Sequence, residues 1–376
     1  MENVPVWDDG DALDLPRVEG VVRADVCVVG LGGSGLSAVA ELLRRGVDVV
    51  GLDAGIVAGG AAGRNGGFLL AGIAAFHHDA VRELGRDKAV RLYEETLAEL
   101  DRFAAATPTL VRRPGSLRIA DTDAERADCD RQFTQMRADV LPVERYEGPE
   151  GVGLSFPRDG VFNPLERCRH VARAAITGGA RLFERSAAVD VTGTRVTTPA
   201  GSVECRSVIV AVDGRLDALL PELSARVRTA RLQMLSTAPT TEVVLERPVY
   251  RRYGYEYYQQ LPSGEVVLGG FRDVAGPGEW TLDATPAASV QDRLEAYVRT
   301  VIGVRADIRR RWAASVGYSI SLLPVFERVR EGVIACGGYN GTGNLVGAIV
   351  GRGAAQVAVD GRSDLAELFT GSSDLS

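Results

Sequence analysis

Six residues, Gly30-Leu31-Gly32-Gly33-Ser34-Gly35, fit the spacing G-x-G-x-x-G, and an acid, Asp53, follows 23 residues after the first glycine. That pairing suits a dinucleotide. Gly30 permits a tight turn, Gly32 lets the backbone approach a pyrophosphate, and Gly35 lets a helix pack on a strand. The helix N-terminus attracts negative charge, and Asp53 accepts hydrogen bonds from a ribose hydroxyl. A glycine-rich structural turn would leave Asp53 unexplained. Two more glycine-dense stretches invite chemistry: GGAAGRNGGF, residues 59–68, and GGYNGTGN, residues 337–344. A third stretch, RRYGYEYYQQLPSGEVVLGGFRD at 251–273, alternates aromatic and polar residues around a Pro-Ser-Gly turn and reads as a hairpin. Tyr257 and Tyr258 fall on opposite faces of its first strand, so one of them can face a pocket.

The elements that must position these residues are legible. ADVCVV, residues 24–29, is a short apolar run of the kind that becomes a buried parallel strand. Leu36, Val39, Ala40 and Leu43 then mark one helical face, with Gly46 where a C-terminal cap belongs. VDVVGLD closes a strand–turn–helix–strand unit on Asp53. An NAD domain would continue with further βα units. Here the chain enters the glycine-rich loop and a long charged helical stretch, HHDAVRELGRDKAVRLYEETLAELDRF, from residue 77. Apolar strand–glycine segments return at 207–214 (SVIVAVDG) and at 333–359 (VIACGGYNGTGNLVGAIVGRGAAQVAV). Three separated pieces of one nucleotide domain imply a composite fold, and FAD rather than NAD.

Composition removes other classes. The 376 residues carry a net charge of −7 with both signs interspersed, which disfavours nucleic acid and acidic membrane surfaces. No apolar run is long enough to span a membrane. The acidic N-terminus MENVPVWDDGD lacks the basic n-region of a signal peptide. The five cysteines lack CxxC or zinc spacing and read as reduced thiols, and three histidines cannot build the usual metal site. A cytoplasmic, metal-free protein is expected.

The segments VCVVGLGGSGLSAVAELLRRGVDVVGLDAG, GGAAGRNGGF, VIVAVDGRLDALLP and GGYNGTGNLVGAIVGRGAA together resemble the D-amino-acid-oxidase-like FAD-dependent oxidoreductases, a family that includes glycine oxidase, sarcosine oxidase and gamma-glutamylputrescine oxidoreductase. PGSLRIADTDAE and the tyrosine hairpin resemble its substrate-domain strands, and the RNGG loop and the hairpin resemble the glutamylputrescine-type branch most. The resemblance implies an α/β (α+β composite) fold. A Rossmann-like FAD-binding domain of the glutathione-reductase type would occupy 20–76, 150–228 and 312–376. An antiparallel-sheet substrate domain would occupy 77–149 and 229–311.

It further implies non-covalent FAD held by Gly30, Gly32, Gly33, Ser34, Gly35, Asp53 and Ala54. The glycine loop would add Gly63, Arg64, Asn65, Gly66 and Gly67, with Arg64 balancing diphosphate charge or forming an interdomain salt bridge. Val189, Gly214, Gly338, Tyr339, Asn340, Gly341, Thr342, Gly343 and Asn344 would complete the cofactor contacts. Tyr257 or Tyr258 would stand in the substrate wall. The chemistry implied is hydride transfer to flavin from a carbon beside an amine nitrogen, giving an imine that hydrolyses.

Two departures shape the substrate expectation. The position where glycine and D-amino-acid oxidases carry a carboxylate-binding arginine reads Val316, so Arg251, Arg252 or Arg272 would have to substitute. The only lysine, Lys88, lies in the charged helical stretch and is a poor stand-in for an oxygen-activating lysine, leaving oxidase and dehydrogenase open. An N-substituted glycine or other secondary amine is therefore preferred, ahead of glycine, a D-amino acid, or a primary amine of the glutamylputrescine kind. An NADPH-dependent aromatic monooxygenase and an inactive FAD-binding scaffold are the competing readings. The partners expected are the amine, O2 or another electron acceptor, and possible further copies of the chain, without nucleic acid or a membrane span.

Overall fold

The structure, a computed structural model, describes residues 3–369. Its contacts divide the chain into two units, each discontinuous in sequence. One comprises Gly10–Gly63, Pro164–Ala230 and the chain from Val316 onward. The other comprises the N-terminal residues through Asp9, Arg64–Asn163 and Arg231–Ser315.

The first unit is built on a six-stranded sheet in the order Arg181–Phe183, Val49–Leu52, Val26–Val29, Ser207–Val210, Val333–Gly337, Val325–Arg330. The first five strands run parallel and the last antiparallel. VCVV, VVGL and VIACG are buried at every residue, as a sheet covered on both faces requires. The Gly33–Arg44 helix leaves the Val26–Val29 strand through the glycine turn and packs against the Val346–Asp360 helix. Gly46 adopts φ +73° just past its last turn, the left-handed stop expected there. A small four-stranded sheet, Gly20–Arg23 through Asp190–Val191, completes the unit.

The second unit is an eight-stranded, mostly antiparallel sheet, running from Ile308–Ser319 and Val227–Thr237 through the hairpin strands Val266–Gly270 and Glu256–Gln260 to Val249–Arg251, Ser116–Ile119, Gly151–Phe156 and Glu144–Gly148. One face packs Leu117, Leu235, Val249, Tyr258 and Leu268 against Val290, Leu294 and Val298 of the Ala288–Tyr297 helix and the turn after it. The other packs Leu154 and Phe156 against Tyr93, Leu97, Cys129 and Met136. The charged helical stretch is two helices, His77–Leu84 and Arg86–Ala106, broken at Gly85 where φ is +83°. Among the described residues no helix is long and apolar enough to cross a membrane.

Candidate flavin and amine site

In the parallel unit the glycine turn is closed to side chains at Gly30 and Gly35. A Cβ on Gly35 would stand 1.8 Å from the Gly30 carbonyl oxygen, and Gly30 itself holds φ +98°. At Gly33, the first residue of the Gly33–Arg44 helix, a Cβ would meet nothing within 4 Å. That helix has no side-chain cap and no acid in its first turn. Its amide dipoles are therefore left for an anion. Asp53 lies beside the turn, one carboxylate oxygen accepting from Leu31 N–H at 2.9 Å and the other from Gly55 N–H at 2.8 Å. Burial raises its pKa against those bonds. Each oxygen keeps a lone pair for a further donor.

A second cluster in this unit surrounds Asp213, which follows the Ser207–Val210 strand. Its carboxylate accepts from Gly317 N–H at 2.9 Å and Gly338 N–H at 3.0 Å, and burial pushes it up. It anchors the GGYNGTGN turn. Within that turn Tyr339 donates its hydroxyl to Ser34 Oγ at 2.7 Å, and Asn340 accepts from Ser319 N–H at 2.8 Å. Thr342 donates back to Tyr339 O at 2.8 Å, so it caps its own turn. Gly341 holds φ +88°, and Gly343 and Asn344 lead into the Val346–Asp360 helix. Gly214 sits where the backbone of Gly317 approaches within 2.9 Å of a would-be Cβ. Ala54 follows Asp53 in the turn. Val189 is 60% exposed and donates its N–H to Thr197 O at 2.8 Å. Gly63 packs by Ala58 and Leu165.

In the antiparallel unit a row of residues crosses six strands: Met234, Gly269, Tyr257, Tyr250, Arg118 and Leu154 stand opposite one another in turn. Tyr257 lies flat across Gly269, whose Cβ would fall 2.5 Å from the ring. Any side chain at 269 would evict the ring. Phe68 meets Tyr257 edge-on with centroids 5.8 Å apart, and Gly66 is 3.3 Å from the ring, measured from its would-be Cβ. The RNGG loop thus lies against this face. Its three successive carbonyls are each held by a side-chain N–H: Arg64 O by Trp312 Nε1 at 2.8 Å, Asn65 O by Trp7 Nε1 at 2.8 Å, and Gly66 O by Gln259 Nε2 at 2.5 Å. The Arg64 guanidinium is half-buried and donates to Ala313 O and Asn3 O, both at 2.8 Å. Asn65 folds its own Oδ1 back onto Gly67 N–H at 2.9 Å.

Tyr258, the alternating partner of Tyr257, is 4% exposed in the helix-packed core beside Tyr297. Arg252 forms a two-pronged pair with Glu256 at 2.7 and 2.6 Å and reaches Asp273 at 3.1 Å. Arg251 is bound to Asp121 at 2.6 Å. Arg272 lies 5.0 Å from the Trp280 ring centroid and 5.8 Å from that of Tyr255.

Residues 25–357 match the family described as FAD dependent oxidoreductase. The chain belongs to that family. It is an FAD-dependent amine or amino-acid oxidoreductase. Among curated relatives, the gamma-glutamylputrescine oxidoreductase of Escherichia coli (strain K12) is 27% identical over 361 residues, covering 88% of this chain and 82% of the relative. A probable oxidoreductase OrdL of Haemophilus influenzae is 23% identical over 95% of this chain and 88% of its own length. Among solved structures, glycine oxidase from Geobacillus kaustophilus superposes with a TM-score of 0.77 at 18% identity over 93% of this chain and 99% of the other. L-proline dehydrogenase from P. horikoshii superposes with a TM-score of 0.76 at 19% identity, over 93% and 96%. These superpositions establish the fold.

The residues present suit the family's FAD: a turn closed to side chains at Gly30 and Gly35, an uncapped helix N-terminus that is open at Gly33, and an acid with acceptor capacity beside it. Asp213, Trp7, Trp312 and Gln259 were missed by sequence reasoning. Gln259 alone had a signal, since it is two residues from Tyr257 on the same strand face. The tryptophan partners join segments about 58 and 248 residues apart, which no local pattern reveals.

Proposed function

We propose that the chain oxidises the C–N bond of a small amine, preferably a secondary amine such as an N-substituted glycine, with Tyr257 forming part of the substrate wall. Tyr257 carries the reading because its face meets the RNGG loop and offers a phenol across Gly269. The same face is poor in groups for a carboxylate. Arg118, the arginine of the row, is 2% exposed and bound to Asp128 at 2.5 Å and to Gln132. Tyr258 and Arg252 are engaged elsewhere, so they are not assigned to the reacting amine.

The chemistry FAD would supply when bound is that of a hydride acceptor for the carbon beside nitrogen. The chain's own work is to hold and to exclude. The amides of Gly32–Gly35 would hold the diphosphate, and Asp53 a ribose hydroxyl. The clamp formed by Trp7, Trp312 and Gln259 fixes the direction of the loop's peptide groups, and Arg64 anchors the loop rather than serving as a mobile charge. No strong base is required when the amine arrives neutral and oriented. Cys336 is fully buried in its strand, where burial pushes the thiol up and leaves it unreactive, in keeping with non-covalent FAD. Acid precipitation should release the yellow colour.

A primary amine of the glutamylputrescine type is the second reading, favoured by the 27%-identical relative of that name. Anaerobic mixing of the FAD-loaded protein with N-alkylglycines, primary amines, glycine and D-amino acids decides between them through flavin bleaching. Bleaching by free D-amino acids alone would sink the preference.

A further inference from the structure

Next to Tyr257 in the row, Tyr250 lines a cavity of about 40 Å³ within the antiparallel unit. Directly opposed residues on paired strands stand roughly 5 Å apart at Cβ, so the cavity begins one strand from the proposed substrate tyrosine. Its wall at Leu70, Ala71 and Gly72 continues the chain from Phe68, which touches Tyr257.

Four aromatic rings line the space, those of Phe76, Tyr93, Phe156 and Tyr250, with Asp159 as the acid among them. Tyr93 is 5% exposed, yet among the described residues neither its hydroxyl nor that of Tyr250 has a hydrogen-bond partner. Asp159 is 3% exposed and receives only neutral donors, Ala71 N–H at 3.0 Å and Ser116 Oγ–H at 2.6 Å. One lone pair remains on each of its oxygens. The other polar residues of the wall are turned to the protein: His77 Nε2 to Asp139 at 2.6 Å, and Gln132 to Arg118. Arg118 lies 3.4 Å from the Phe76 centroid but is paired with Asp128. Arg113, the charged group that draws the Asp159 pKa down, is itself bound to Asp101.

Aromatic faces attract cations, and a buried carboxylate without a counter-cation is costly. Burial indeed pushes Asp159 up to about 7. Arg118 covers the Phe76 ring, but among the described residues no cation is paired with Asp159. We propose that this cavity is the subsite for a primary ammonium group at the far end of the substrate, which makes the substrate an amine with a second, cationic nitrogen. The ammonium would donate to Asp159 and to the oxygens of Tyr93 and Tyr250, with the rings about its carbon. A water needs roughly 10–15 Å³ of such space, so the volume suits an ammonium and its adjoining carbon but no ring. The substrate assignment rests on the amine-oxidation reading above.

The test is calorimetric titration of the FAD-loaded protein, in buffer free of amines, with α,ω-diamines from ethane-1,2-diamine to pentane-1,5-diamine and the matching monoamines. We expect at least tenfold tighter binding of the diamine at one chain length, loss of that advantage in Asp159→Asn, and a several-fold reduction in Tyr93→Phe and Tyr250→Phe. Equal affinity of diamine and monoamine at every length would overturn the proposal, as would an advantage that survives Asp159→Asn. Should Asp159→Asn fail to fold, the wild-type comparison and the two phenylalanine variants still decide. Potassium chloride displacing the diamine at equal concentration would overturn the organic-cation assignment. A diamine advantage without flavin bleaching by any amine would keep the subsite and sink the oxidation reading; bleaching without the advantage would do the reverse.

Discussion

Replacing Asp159 by asparagine should change how stability depends on pH. In the fold its carboxyl is buried, receives two neutral donors, and titrates at about 7. In the unfolded chain it titrates near about 3.9. Because the folded value is the higher one, its contribution is fully present below about pH 4 and is lost as pH rises towards 7, with no further loss above. The whole gap is worth roughly 4 kcal/mol at about 1.36 kcal/mol per pH unit. Between pH 5 and pH 8 about two pH units of that window are crossed, so wild type loses roughly 3 kcal/mol that the asparagine variant retains. For a chain of this length, about 2.1 cal/mol/K per residue makes that a shift of roughly 4 °C. Thermal unfolding of both proteins at pH 5 and pH 8, in phosphate without amines, measures the variant-minus-wild-type difference and cancels every other titrating group. It should move in favour of the variant by that amount. A difference that stays constant, or moves towards wild type as pH rises, would refute the reasoning that Asp159 lacks a cationic partner.

Other outcomes follow from single contacts. Gly35→Ala forces a Cβ onto a backbone carbonyl 1.8 Å away, and no folded, yellow protein should be recovered; recovery with normal flavin content would disprove the turn geometry. Gly269→Ala should displace the Tyr257 ring, raising KM for the amine while FAD content, read by absorbance, stays normal. Trp312→Phe removes the donor to Arg64 O and leaves a half-buried carbonyl unpaired, a loss of about 1 kcal/mol visible as a lower melting temperature and faster FAD release by fluorescence. Arg64→Ala should weaken FAD retention through the same loop; unchanged retention would return Arg64 to a purely structural anchor.

Local pattern made the nucleotide unit legible: an apolar run, a glycine turn, a 3.6-period helix and an acid lie within 30 residues, and each is a short-range signal. The hairpin with its Pro-Ser-Gly turn was legible for the same reason. The alternation placed Tyr257 and Tyr258 on opposite faces but did not say which face was which. The Ala288–Tyr297 helix decided that by covering the Tyr258 side. Arg252 was a candidate for a carboxylate because its fork-shaped guanidinium suits one. Only the turn after it brings Glu256 back into a two-pronged pair.

The residues of this chain determined, by themselves, that a dinucleotide-type turn exists, that the fold is a composite of interleaved α/β pieces, and that FAD suits them. Those conclusions rest on periodicity and on glycine's lack of a side chain, which act over a few residues. Tertiary structure alone decided that three side-chain donors hold the RNGG carbonyls, that Asp213 gathers the last glycine turn, and that Asp159, buried among four rings, receives only neutral donors. Each depends on groups brought together from distant parts of the chain, where burial sets the worth of a hydrogen bond or a charge, and burial is not a property that neighbouring residues can specify.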